Sequence, residues 1–232
     1  MTRVFENQVF ERFFNDQPGV RFENLVFRNC TFRTCVISLR DQPANRSIVR
    51  YVELINCEYE EVAGPSAAIV EDVLVDGLKT QGLLQTWAMV FKHVTLRGRI
   101  GRVMITNGLP PFTAPSVFQA FETANAAYYE GVDWALDISQ AEFKECDIRG
   151  VPARLIRRDP ETQAVVTRTR ALEGRWRELD LDRTYWTTGI EFLLNREHDQ
   201  DVVLVAPKRA RNFKDLLAGI KLLREAGVAE PD

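Results

Sequence analysis

Large apolar residues in the first two thirds of the chain recur at a spacing of five. In "VRFENLVFRNCTFRTCVI", Phe22, Phe27, Phe32 and Ile37 are five apart, and Val20, Leu25, Cys30 and Cys35 precede them by two. Neither the helical period of 3.6 nor the strand period of 2 gives this spacing. Written in fives, the region reads VRFEN, LVFRN, CTFRT, CVISL, then SIVRY, VELIN and CEYEE from Ser47. After a slip of frame come AIVED, VLVDG, LKTQG and LLQTW from Ala68, and AMVFK, HVTLR, GRIGR and VMITN ending at Asn107. A last block, LDISQ, AEFKE, CDIRG and VPARL, runs from Leu136 to Leu155. The third residue of a good unit is large and apolar, as at Leu54, Val75, Val90, Ile105, Ile138, Phe143 and Ile148. The first is small or apolar, and Cys30, Cys35, Cys57 and Cys146 all occupy it.

This unit resembles that of the pentapeptide-repeat family, approximately A-(D/N)-L-x-x. CDIRG and LDISQ match it closely, CTFRT and AEFKE more loosely. The resemblance runs from Val20 to Leu155, with breaks at 41–46, 63–67 and 106–135. It implies a mainly β fold, a right-handed quadrilateral β-helix in which each unit forms one side of a square coil with its first and third residues pointing inward. Roughly five coils stacked at about 4.8 Å would make a rod on the order of 24 Å long. A coil alone cannot bury its inward side chains, so each tier depends on its neighbours. The cysteines fit as small buried hydrophobes, since no C-x-x-C pair points to zinc or redox chemistry.

Outside the frame lie two further regions. Residues 106–135 carry Pro110, Pro111 and Pro115, which block a regular ladder. Ser116 followed by Gln119 reads as a capping box opening a helix over "VFQAFETANAAYY". This gives an inserted helix that covers the rod or protrudes from it as a binding element. After Leu155 a C-terminal α/β appendage, 156–232, is expected to pack on the 1–155 solenoid. It contains a hairpin turning at Asp159-Pro160, a helix using Trp186, Ile190, Leu193 and Leu194, and a short buried strand in "DVVLVAP". Asn212 caps a final helix over Phe213–Ala226, with Gly227 just past its end. Its apolar stripe, Phe213, Leu216, Leu217, Ile220 and Leu223, either caps the open end of the solenoid or joins two copies. Dimerisation through C-terminal elements is what the resemblance implies, so the chain is a monomer or a homodimer through that stripe.

Composition narrows the partner classes. A formal charge of -3 over 232 residues argues against strong steering toward nucleic acid, so direct nucleic-acid binding is not expected. No run of about 18 apolar residues marks a transmembrane helix. The N-terminus lacks a secretory signal pattern, and the expected compartment is the cytoplasm.

No catalytic, cofactor-binding or metal-binding residues are assigned from the sequence. His93 falls at an inward first position in one frame and faces solvent in the frame shifted by one. His198, in "NREHDQD", neighbours Asp199, Glu197 and Asp201, which suits acid–base work, a cation or a plain polar loop. An Arg-rich stretch interleaved with aromatics begins near Arg149, and Arg154, Arg157, Arg158, Arg175, Trp176 and Arg177 are its candidate partner-binding residues. "PKRAR" before the last helix could place cations at a helix N-terminus. The expected function is a non-enzymatic protein-binding scaffold, an inhibitor or bacterial immunity protein that neutralises a cognate toxin or enzyme. One alternative is the DNA mimicry toward DNA gyrase that the resemblance implies, which wants a more acidic rod. The other is a β-helical carbohydrate-active or sugar-binding protein.

Overall fold

The computed structural model describes residues 1–60, 63–110, 113–196 and 198–230; Pro111 and Glu197 lie outside them. The strands are β1 (Arg3–Glu6), β2 (Val9–Glu11), β3 (Arg21–Arg28), β4 (Thr31–Arg33), β5 (Ser47–Tyr59), β6 (Ala63–Ser66), β7 (Ala68–Trp87) and β8 (Val90–Thr106). After helix α1 (Pro115–Glu130) come β9 (Leu136–Asp137), β10 (Ala141–Arg149), β11 (Ile156–Arg157) and β12 (Gln163–Thr167). The chain ends with α2 (Arg168–Glu173), α3 (Trp186–Asn195), β13 (Asp201–Val205) and α4 (Phe213–Glu225). They form a mainly β structure around one mixed sheet. It is parallel along β1–β3–β5–β7–β8–β10 and continues antiparallel through β13 to β12.

The period of five has a backbone cause. Left-handed φ values occur at Gly19, Asn24, Asn29 and Thr34, again at Ala67, Asp72 and Gly77, and at Ala88, His93 and Gly98. Asn and Gly tolerate this conformation best, so they mark places where the chain turns. The parallel ladder runs through Arg3, Leu25, Val52, Val73, Val94, Leu136 and Ile156. Its steps are 20 to 22 residues, lengthened only across the segment holding the 3₁₀ turn Pro43–Asn45 and across α1. First and third residues of the units therefore stack in columns. Rings of Phe5 and Phe27 lie parallel at 5.1 Å, and those of Phe10 and Phe32 at 5.5 Å. Higher in the stack the columns become Val, Leu and Ile and are fully buried. Each such burial stabilises by about 1.5–3 kcal/mol before entropy. All four cysteines are free, and burial pushes the Cys57 thiol up.

Three readings of the repeat change. The stack starts before Val20, because β1 and β2 pair with β3 and β4. The frame around His93 is the shifted one: Val94 continues the inward column of Val73, and His93 sits at a turn. The poor units LKTQG and LLQTW coincide with a register slip between Leu78 and Leu83. Of the break at 63–67, β6 pairs with β7 and so stays in the sheet.

Charged residues outside the columns alternate in sign between tiers. Arg28 faces Glu6, Arg33 faces Glu60, Arg50 faces Glu71 and Asp72, and Arg97 faces Asp76, the last pair at 2.7 Å. The repeat arginines are thus matched across the ladder and contribute up to about 1 kcal/mol each.

Helix α1 packs against the stack. Pro115 is its first residue and Ala114 precedes it without a side-chain cap, so Ser116 does not cap; proline's fixed φ suits that first position. The buried Arg46 guanidinium lies 4.7 Å from the Phe121 ring centroid and bonds Asn125 and the Ala88 carbonyl. Desolvation lowers its pKa to about 10.

The C-terminal unit closes the far end of the stack. β12 and β13 are antiparallel, with alternate side chains on opposite faces. Val165, Val203 and Val205 join the core of the stack, while Ala164, Val166 and Leu204 join a second core with α2, α3 and α4. The expected hairpin at Asp159-Pro160 does not form: β11 pairs with β9 and β12 with β13, so that turn links two layers. The last helix occupies the second core, with the β12–β13 pair between it and the stack. Leu216, Ile220 and Leu223 are fully buried there, and Trp186 donates its indole N–H to the Leu216 carbonyl. The proposed dimer stripe of Phe213, Leu216, Leu217, Ile220 and Leu223 is therefore largely covered by the chain itself. Asn212 precedes α4 but does not cap it; its amide donates to the Arg183 carbonyl instead.

Candidate functional site

A cleft of about 660 Å³ opens where the stack meets its cap. Its floor is the outer edge of β10, and its walls are α3, β13 and the loop leading to α4. Two anchors hold the cap over this floor. Ile148 of β10 pairs with Val203 of β13, the single position at which the two strands meet. The Arg209 amide donates to the Phe143 carbonyl at 3.1 Å, and its guanidinium donates to the Ile100 carbonyl at 3.2 Å.

Phe192 and Tyr185 line the cleft and remain 42% and 45% exposed. Trp186, Ile190 and Leu193 are buried on the opposite, core-facing stripe of α3. The Arg149 guanidinium lies 4.1 Å from the Phe192 ring centroid and bonds Asp147. Such a stacked cation holds the ring in place. Arg196 pairs with Asp199 at 2.9 Å and also bonds the Asn107 carboxamide, which ties the end of α3 to the stack. Arg102 pairs with Glu145 at 3.5 Å. Asp201 accepts the Ala153 amide at 2.9 Å. Burial raises the pKa of both Asp199 and Asp201, and the two carboxylates reinforce each other at Asp201. Cys146 lies in the floor, and burial holds its thiol well above the ordinary range. A thiol held protonated is a poor nucleophile.

The structure disperses the six residues chosen from the sequence, and none of them lines the cleft. Arg154 and Arg157 are exposed on the segment around β11, where Arg157 stacks over Trp134 at 4.1 Å. Arg158 beside them is half-buried. Arg175 and Arg177 are exposed on a 3₁₀ turn after α2. Trp176 between them is a core residue, 2% exposed, whose indole N–H donates to the Ala171 carbonyl. The aromatic that made the stretch look like an interface is consumed by folding. In "PKRAR", Lys208 pairs with Asp159, while Arg209 and Arg211 reach the cleft. Phe192 had a legible signal: it is an aromatic off the apolar stripe of its own helix.

The two histidines lie elsewhere. His93 is bracketed by Asp72 at 3.1 Å and Asp133 at 2.7 Å and stacks on Trp134, which fastens the chain after α1 to the stack. The bond from His93 holds the Asp133 carboxyl below its usual range. His198 is mostly exposed, 4.0 Å from Glu122 beside a small recess. Among the described residues, no cluster of His, Cys, Asp and Glu side chains is placed to hold a metal, and no helix is long and apolar enough to cross a membrane. Compared with protein-family models, with curated proteins and with solved structures, the chain matches none.

Proposed function

We propose that this chain is a pentapeptide-repeat-like scaffold, a four-sided right-handed β-helix with a C-terminal cap, that binds another protein without catalysis. Left-handed residues every five positions and tier steps of 20 to 22 residues support the four-sided coil. In this reading the chain is a cytoplasmic inhibitor or immunity protein, and the cleft between rod and cap grips the toxin or enzyme it neutralises. The observation that carries it is the pair of exposed aromatics, Tyr185 and Phe192, set on a concave surface beside paired charges. Aromatic anchors flanked by arginine are what protein interfaces concentrate their binding energy on. The acids of the cleft are engaged in ion pairs or amide bonds, which suits a fixed surface better than proton transfer. Tier-to-tier pairing of the repeat arginines leaves a rod of mixed charge, which weighs against mimicry of DNA.

Site-specific photo-crosslinking tests the reading. A benzophenone amino acid replacing Phe192 in cells of the source organism is expected to trap one discrete protein. The same probe at Leu172, 65% exposed on α2 and not among the residues that line the cleft, is expected to trap none. Identical, diffuse adducts from both positions would refute a partner site in the cleft.

A further inference from the structure

The floor of the cleft is an uncovered β-edge. Glu145, Cys146 and Asp147 pair with β8 on one side. On the other side, among the described residues, β10 is met by the Arg209 amide at Phe143 and by β13 at Ile148, and by no strand between. The open stretch from Lys144 to Asp147 is about 13 Å of extended chain at ordinary strand rise. An unpaired edge is a template for another strand. Charged side chains on this edge would ordinarily serve only to repel a flat sheet. Here the edge lies at the bottom of a cleft whose walls admit a single strand, and the volume is that of a ligand site.

The charge of the walls selects the strand. Six cations line the cleft: Arg102, Lys144, Arg149, Arg196, Arg209 and Arg211. Its four acids are already engaged, Glu145 with Arg102, Asp147 with Arg149, Asp199 with Arg196 and Asp201 with the Ala153 amide. Lys144, Arg209 and Arg211 make no ion pair among the described residues, so the cleft carries a surplus of positive charge.

We infer that the cleft binds an extended acidic segment of a partner protein by strand addition to the open edge of β10, between Phe143 and Ile148. Backbone bonds to Lys144–Asp147 supply affinity, the surplus cations select carboxylates, and Tyr185 and Phe192 take apolar side chains that alternate with them. This inference rests on the scaffold reading above and names the chemistry of its partner.

A fluorescein-labelled (Glu-Val)4 peptide, titrated with the full chain and read by anisotropy, tests it. Binding is expected, with none to (Lys-Val)4, and it should weaken about tenfold in the exposed double variant Lys144→Glu, Arg211→Glu. Methylating one alternate set of peptide nitrogens should abolish binding, because those amides face β10, while methylating the other set should not. Absence of binding overturns the inference, as does binding that survives both methylations, which would be charge capture without a strand. The scaffold reading fails separately: a Phe192 crosslink without peptide binding refutes strand addition and leaves the partner site standing.

Discussion

Gly150 closes the last turn of the stack with φ +70°, and a methyl group there would overlap the Asn107 carboxamide. Asn107 is not free to move. Its carbonyl accepts the Asn125 amide at 3.3 Å, and its carboxamide oxygen accepts Arg196. Gly19 has φ +64° but nothing within 4 Å of the place a methyl would take. The two glycines separate conformational strain from steric displacement. Gly19→Ala should cost about 1 kcal/mol, the left-handed penalty less the entropy alanine removes from the unfolded chain. Gly150→Ala carries the same penalty and also breaks a hydrogen bond to a charged group, for about 3–4 kcal/mol altogether. In a chain of this size that is roughly 10 °C of melting temperature, against about 3 °C for Gly19→Ala. Thermal unfolding of the two variants beside the parent measures both. Equal shifts would show that Asn107 does not press on Gly150. A neutral Gly19→Ala would show that the turn residues are not left-handed, and the explanation of the period of five would fall with it.

That explanation also marks how far the sequence was legible. A spacing of five survives in a one-dimensional string because each unit solves the same local problem: two inward side chains, then a turn at a residue that accepts positive φ. Phe5 and Phe10 carry the same spacing, yet β1 and β2 escaped notice because polar residues dominate around them. Leu78 to Leu83 blurred the frame because a bulge adds residues that a fixed count cannot absorb. The C-terminal helices and β13 were readable from their own periodicity. Their assembly was not, since the alternation of Val165 with Ala164 and Val166 in β12 does not say which face meets the stack. The candidate site was the least legible part. Lys144, Phe192 and Arg211 come from three distant segments, and only the crossing of β13 over β10 brings them to one cleft. Trp176 shows the converse, an aromatic among arginines whose exposure depends on a short helix folding over it.

Packing and titration give two more checks. Ile220→Ala should destabilise by about 2–5 kcal/mol with no change in the sedimenting mass, because Ile220 fills the second core. Unchanged stability with a loss of dimer would instead assign α4 to a subunit interface. Asp201→Asn should raise the melting temperature at neutral pH. Burial lifts the Asp201 pKa, so the protonated carboxyl is the form the fold favours. Its stabilising contribution is complete below the ordinary carboxylate range and is lost as pH rises through the lifted value. Asparagine keeps an acceptor for the Ala153 amide without the charge, so the gain over the parent should grow from mildly acid to neutral pH. Asp133 works in the opposite sense. Its pKa is depressed by the His93 bond, so its contribution is present above the ordinary range and is lost as pH falls through the depressed value. The two windows lie on opposite sides of the ordinary carboxylate range, so a melting series across pH separates them. A difference between Asp201→Asn and the parent that stays constant across that series would refute burial as the source of the shift.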